Sequence, residues 1–277
     1  MKDCKITFIG GGNMARSLIG GLISDGFNPQ HIHVSDPEPL CLQALGDKYP
    51  INTYSSNLKA AQNCDVLILA VKPQQLQSVV KQLAAEWRSD TLLISIAAGI
   101  RLDDVSRWLE HDDAAIVRAM PNTPSLVQAG ATALCANDFV STPQHELAES
   151  ILRSVGLALW VEDEEKMDAV TALSGSGPAY FFLIMEAMEF AATEMGLDAE
   201  TARLLCLQTA FGAAKMALES EESTATLRER VTSPGGTTER ALHELEDGGV
   251  RGLFENALVA AALRSRELAN QLGEDNA

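Results

Sequence analysis

The chain is short of several things, and each scarcity excludes a class of function. Basic residues are few, 21 against 38 acidic, for a net charge of −17 over 277 residues. Neither half offsets the imbalance: 12 basic and 16 acidic residues lie before Val161, and 9 basic and 22 acidic from Val161 onward. A polyanion binds where clustered Lys and Arg replace its counterions, so nucleic acid is excluded as a partner. No apolar run approaches the roughly 18–20 residues that span a bilayer, which excludes a membrane protein. The five cysteines (Cys4, Cys41, Cys64, Cys135, Cys206) are odd in number, widely scattered and without a CxxC pair, and the five histidines include no HExxH. That pattern reads as reduced, mostly buried thiols and as no metal site. The start, MKDCKITFIG, carries Asp3 and runs straight into glycines. It lacks a signal peptide's apolar core, so the cytoplasm is the expected location.

What is present is ordinary globular material, 46% hydrophobic and 21% charged. At about 150 residues per domain the length suggests two domains. Through residue 160, short apolar runs alternate with helix-period segments. Lys5–Ile9, His31–Ser35, Asp65–Val71, Leu92–Ala97, Ala115–Arg118, Ala131–Cys135 and Leu157–Val161 read as strands. Asn13–Gly26, Leu40–Lys48, Gln74–Trp87, Leu102–Glu110 and Pro143–Val155 read as the helices between them. Runs such as CDVLILAV suit strands covered on both faces, and the alternation predicts a doubly wound, mostly parallel sheet. After Val161 the texture is helical, in Ala179–Met195, Ala199–Glu219 and Leu253–Gln271, with breaks at Gly196, Ser220–Thr226, Pro234–Gly236 and Gly248–Gly249. The expected division is a nucleotide-binding domain over 1–162 and a helical domain over 163–277. Helix 179–195 is apolar around most of its circumference, which a small domain hides most easily by dimerising.

KITFIGGGNMA is a strand running into Gly10, Gly11, Gly12, Asn13, Met14 and Ala15 at G-x-G-x-x-A spacing, followed by a helix. Such a loop needs a tight turn at Gly10, close backbone approach at Gly12 and a small residue at Ala15, and the helix N-terminus then faces a pyrophosphate. The second strand ends about 20 residues later at Asp36, whose carboxylate suits a ribose hydroxyl pair and favours NAD(H). Asp36 could equally only start the turn before Pro37. Asn57 could bond the adenosine side or merely cap a helix. Lys72 in LAVKPQ, Ala97 and Ala98 in SIAAGI, and the stiff RAMPNTP lie at further strand ends, where ligands of such sheets gather. A second glycine cluster, SGSGPA, precedes the long apolar helix. In TSPGGTTE, backbone N–H groups with the Thr237 and Thr238 hydroxyls make a pocket for a small carboxylate, or else an ordinary capped turn.

FIGGGNMA, AVKPQ, SIAAGI, RAMPNTP, SGSGPAY and SPGGTTERAL, in order from residue 8 to residue 242, together resemble the pyrroline-5-carboxylate reductase family. The resemblance covers nearly the whole chain. It implies a Rossmann-like doubly wound sheet followed by an all-helical dimerisation domain, a homodimer that can assemble further, and reduction of (S)-1-pyrroline-5-carboxylate to L-proline with NADPH or NADH. It further implies substrate contacts at Ser176, Ser233, Gly235, Gly236, Thr237 and Thr238, with the Thr238 hydroxyl beside the ring nitrogen as the catalytic group. Cofactor contacts are implied at Gly10, Gly11, Gly12, Asn13, Met14, Asp36, Asn57, Ala70, Val71, Lys72, Pro73, Ala97, Ala98, Asn122 and Glu221. Asp36 departs from this pattern, since an acid is not typical of an NADPH pocket.

The chemistry of an imine agrees with the residues. A ketone reductase needs a strong proton donor beside the developing alkoxide. The helix after SGSGPA, from Ala179 to Glu194, contains no Lys, His or Arg. An imine is protonated before hydride arrives, so orientation and one hydrogen bond suffice. The alternatives are a reductase of another small imino or hydroxy acid, and a non-catalytic NADP-binding redox sensor. The sensor would keep the first glycine cluster but has no use for SPGGTT.

Overall fold

In the computed structural model, residues 4–274 are described; Asp3, used above to read the start, and the other terminal positions lie outside the described residues. Among the described residues the seven expected runs form strands and a short polar segment adds an eighth: β1 (Ile6–Ile9), β2 (Ile32–Ser35), the unexpected β3 (Asn52–Tyr54), β4 (Val66–Leu69), β5 (Leu92–Ser95), β6 (Ile116–Met120), β7 (Gly130–Ala136) and β8 (Gly156–Trp160). Among the described residues twelve α-helices accompany them: α1 (Asn13–Ser24), α2 (Pro39–Lys48), α3 (Asn57–Ala61), α4 (Pro73–Ala84), α5 (Leu102–Leu109), α6 (Thr142–Arg153), α7 (Met167–Val170), α8 (Gly177–Glu194), α9 (Ala199–Glu219), α10 (Thr224–Arg230), α11 (Thr237–Asp247) and α12 (Val250–Gly273).

The strands form one sheet in the order β3-β2-β1-β4-β5-β6-β7-β8. All neighbours run parallel except β6 and β7, which are antiparallel. This is the doubly wound, mostly parallel sheet that the alternation predicts. Along each central strand, successive residues feed two separate cores, as period two requires. Ile6, Phe8, Val66, Ile68, Leu92 and Ile94 join one core with Leu18, Leu22 and Ile151. Leu67, Leu69, Leu93 and Ile116 join the other with Leu76, Val80 and Trp108. Ile9 pairs with both Ser35 and Leu69, and Leu69 with Ser95. The carboxyl ends of four strands therefore finish at one level, and Gly10, Asp36, Ala70 and Ile96 leave the sheet side by side.

The packing divides into two compact units, one made of the described residues within Met1–Ser176 and Ala260–Ala277, the other Gly177–Val259. The first unit holds the sheet and also a segment of helical texture after residue 163. Glu164 fastens that segment. Its Oε1 accepts from the Leu102 N–H at 2.9 Å and from Arg118 Nη1 at 2.8 Å, and Arg118 is only 5% exposed. The change of texture at 163 thus precedes the boundary between packed units at Ser176 and Gly177. The end of α12 belongs to the first unit as well: Ser265 Oγ donates to Asp168 at 2.7 Å and Arg101 to Asn270 at 2.6 Å.

Two local features differ from the expectation. Only the start of the Ser220–Thr226 stretch is non-helical, because Ser223 Oγ accepts the Thr226 N–H and starts α10 at Thr224. The residues Thr171–Gly175 ahead of SGP form a π-helical turn continuous with α7, in which Thr171 and Ser174 hydroxyls bond the carbonyls of Met167 and Val170. Among the described residues no helix is long and apolar enough to cross a membrane, and no three His, Cys, Asp or Glu side chains gather where a metal ion could be held.

Candidate active site

The row of strand ends creates a cradle around the glycine loop. Gly10 has φ +102° and its N–H donates to the Ser35 carbonyl at 2.7 Å. A Cβ there would sit 2.6 Å from the Ala70 carbonyl oxygen, so only glycine lets the loop cross between β1 and β4. Gly11 is packed as tightly, its imagined Cβ 2.8 Å from Cys41 Sγ. A Cβ on Gly12 would meet nothing within 4 Å, so that side of the loop is open. Gly12 is also the N-cap of α1, and no side chain caps that helix. An open helix N-terminus with uncapped N–H groups on a rigid loop is an anion site, and it fits a dinucleotide's pyrophosphate.

Beside the loop lies a cavity of about 340 Å³ lined by Gly10, Ser35, Pro37, Ser55, Ser56, Asn57, Val71 and residues of α4. Asn57 Oδ1 accepts from Ser35 Oγ at 2.8 Å, which fixes its amide at the cavity wall. Asp36 stands at the end of β2. Its Oδ2 accepts from the Gly11 N–H and its Oδ1 from the Glu38 N–H, both at 2.8 Å. Gly10, Gly11, Gly12, Asp36, Asn57, Ala70 and Val71 are thus brought together as the motif requires, with Asn13 and Met14 opening α1. Lys72 is exposed and N-caps α4, with Pro73 at its first position. Ala97 is buried and Ala98 exposed after β5.

Asn122 lies at the end of β6, where its side chain makes two hydrogen bonds. Its Nδ2 donates to the Ser174 carbonyl at 3.0 Å, and its Oδ1 accepts from the Ala131 N–H at 2.9 Å. These bonds tie the end of β6 to the π-helical turn and to β7, and a Cβ on Gly175 in that turn would come 2.5 Å from Met120 Cε. Ser176, the last residue before the chain passes into the second unit, donates its N–H to the Thr171 carbonyl.

In the second unit the TSPGG loop leads into α11. Gly235 has φ +72°, and its N–H donates to Glu239 Oε2 at 2.7 Å, while the Gly236 N–H donates to the Ser233 carbonyl at 3.0 Å. Two amides are thus used inside the loop. Those of Thr237 and Thr238, at the first two helical positions, face outward from an N-terminus that no side chain caps. Thr238 is exposed and Gly236 holds the N-cap position, so the helix does not need the Thr238 hydroxyl. Glu221 is exposed in the short turn between α9 and α10.

Sequence reasoning missed the wall residues Ser35, Ser55 and Ser56, although the Ser-Ser-Asn run before α3 is a readable signal. It also missed Arg16 and Cys41, which both reach the Gly11 carbonyl. One lies a turn into α1, the other on α2, and no spacing rule links them.

Comparison with known proteins adds an independent line. Residues 164–268 match the family described as pyrroline-5-carboxylate reductase dimerisation, and residues 5–99 the family described as NADP oxidoreductase coenzyme F420-dependent. The chain is 49% identical to a pyrroline-5-carboxylate reductase of Pseudomonas aeruginosa, over 99% of this chain and 100% of that one. A solved pyrroline-5-carboxylate reductase from Coxiella burnetii superposes with a TM-score of 0.93 at 50% identity, covering 96% of this chain and 98% of that one. A Plasmodium falciparum pyrroline carboxylate reductase solved with NADP bound does so with a TM-score of 0.86 at 31% identity, over 97% and 99%.

Proposed function

Since this chain belongs to the pyrroline-5-carboxylate reductase family, we propose that it reduces (S)-1-pyrroline-5-carboxylate to L-proline with NADPH or NADH. The observation that carries the reading is the uncapped N-terminus of α1 on a loop that only glycine can thread. When bound, the nicotinamide cofactor supplies a hydride to the ring carbon of the C=N bond, and the nitrogen, protonated from solvent, becomes the amine. The Gly12, Asn13 and Met14 segment holds the pyrophosphate. Ser35, Ser55, Ser56 and Asn57 offer hydroxyls and an amide to the adenosine ribose, with Asp36 beside them. Ala70, Val71, Lys72, Pro73, Ala97 and Ala98 line the path from the strand ends. Asn122, and Glu221 of the second unit, are further cofactor contacts on the strength of the resemblance alone.

On the substrate side, the Thr237 and Thr238 amides receive the carboxylate, with Ser233, Gly235 and Gly236 shaping the loop around it, and Ser176 is a substrate contact on the strength of the resemblance alone. The Thr238 hydroxyl bonds the ring nitrogen as iminium becomes amine. Orientation supplies much of the acceleration, and no strong acid is needed. We assign nucleotide binding to residues 1–162 and dimerisation with substrate binding to 163–277. The chain acts as a homodimer able to assemble further, and a cytoplasmic location fits its five free thiols.

The test is NAD(P)H oxidation with pyrroline-5-carboxylate, with other imino acids, with 2- and 3-keto acids, and with no acceptor. Turnover confined to the pyrroline supports the reading. Faster turnover of a keto acid refutes it, and cofactor binding without any turnover makes the protein a sensor.

A further inference from the structure

We infer that Arg16 and Cys41 are positioning residues that aim the Gly12 amide at the cofactor's pyrophosphate by holding the carbonyl of Gly11. Arg16 Nε donates to the Gly11 carbonyl oxygen at 3.0 Å, and Cys41 Sγ donates to the same oxygen at 3.0 Å. Arg16 Nη2 lies 3.4 Å from Cys41 Sγ, so the thiol accepts from the guanidinium while it donates to the carbonyl. On the other side of the residue, the Gly11 N–H is fixed by Asp36.

The consequence follows from peptide geometry. The Gly11 carbonyl and the Gly12 N–H belong to one planar trans unit and point in opposite directions. Fixing the carbonyl on Arg16 and Cys41 therefore turns the Gly12 N–H the other way, at a residue that is exposed and where even an added Cβ would meet nothing within 4 Å. Three successive glycines have no side chain to select this orientation, and glycine's wide φ/ψ range leaves the choice to the groups that hold the loop. Left alone, the loop would have to be ordered by the cofactor, at a cost in affinity. Arg16 is half-buried, and its Nε and Nη2 are engaged by the Gly11 carbonyl and the Cys41 thiol, so its part is to orient an amide rather than to contact a phosphate.

This inference rests on the reductase reading, and the experiment separates the two. NADH and NADPH affinities are measured by fluorescence titration for wild type, Arg16→Met, Arg16→Lys, Cys41→Ala and Cys41→Ser. Two competitors are added: ADP-ribose, which carries a pyrophosphate, and AMP, which does not. Thermal melts accompany each variant. Arg16→Met should raise the dissociation constants of NADH, NADPH and ADP-ribose together by about tenfold, a fold-change typical of one lost hydrogen bond to a carbonyl on a pre-ordered loop. AMP affinity and kcat at saturating cofactor should be retained. Arg16→Lys and Cys41→Ser keep a donor to the carbonyl and should recover most of the affinity that Arg16→Met and Cys41→Ala lose. Wild-type-like cofactor affinity in Arg16→Met overturns the inference, and so does an equal loss for AMP, which would signal general disorder. A wild-type chain that binds neither cofactor would overturn the reductase reading itself.

Discussion

Thr238 is where sequence and structure make the sharpest claim about a single side chain. Its hydroxyl lies at the second position of α11, whose N-cap is Gly236, and no side chain caps the helix. Removing the hydroxyl should therefore leave the helix intact. Losing a hydrogen bond to a charge-developing nitrogen costs about 1.5–3 kcal/mol, so Thr238→Ala should lower kcat/KM for the imine by roughly ten- to 150-fold. NAD(P)H affinity and the melting temperature should stay near wild type, and Thr238→Ser should keep much of the activity. A lower melt with normal turnover would refute the assignment. Asp36 is a mixed case. Sequence spacing found it, but could not reveal that both its oxygens already accept backbone N–H groups. Each oxygen keeps a lone pair for a ribose hydroxyl, and the unpartnered charge still repels a 2′-phosphate. NADH should thus serve at least as well as NADPH. Asp36→Ser should weaken both through the loosened Gly11 and shift the ratio of kcat/KM values toward NADPH. An unchanged ratio would show that the carboxylate serves the loop alone.

Elements were legible where their physics is local. The long apolar strands and the capped amphipathic helices announce themselves by period and by closing residues. β3 spans only three residues, too few for any period, and Asn52 and Thr53 carry no apolar signal. The π-helical turn is equally silent, because its cause lies in two hydroxyls bonding back along the chain and in Asn122 reaching over from β6. The β2–β3 pair makes a measurable prediction about acid. His33 stacks on Tyr54, with ring centroids 5.4 Å apart and Nδ1 2.9 Å from the phenol oxygen. Burial, with Lys5 and His31 adding to it, pushes its pKa down from 6.5 to about 4. Between those values the unfolded chain takes up a proton that the folded chain refuses, so stability must fall as pH drops from 6.5 toward 4 and stay unaffected by this group above 6.5. Melting temperatures across that window should decline less steeply in His33→Gln than in wild type. Parallel curves would mean that the imidazole titrates alike in both states.

At the scale of the molecule, the helical half is legible as a surface awaiting a partner. On the isolated chain Phe181 is 63% exposed and Phe190 68%, with Leu204, Phe211 and Leu253 also open to water. Exposed large apolar side chains in such number mark a surface that associates, and they lie within the residues matching a dimerisation family. Sedimentation at low micromolar concentration should find no monomer, and a folded, active monomer would refute the homodimer. Periodicity cannot say which body a helix packs on. For that reason the return of the end of α12 to the first unit was not foreseeable, although the helix itself was.

That return gives the chain an order of assembly during synthesis. The sheet unit is encoded mostly before residue 177, yet Ser265 and Asn270, the partners of Asp168 and Arg101, are translated after the whole helical unit. A nascent chain that has emerged only to residue 176 lacks them, and its nucleotide half waits on the ribosome for its final side. Chains truncated before residue 260 should accordingly yield a sheet unit that is more readily cut by protease around α5 and α7 than the same unit in the full-length protein.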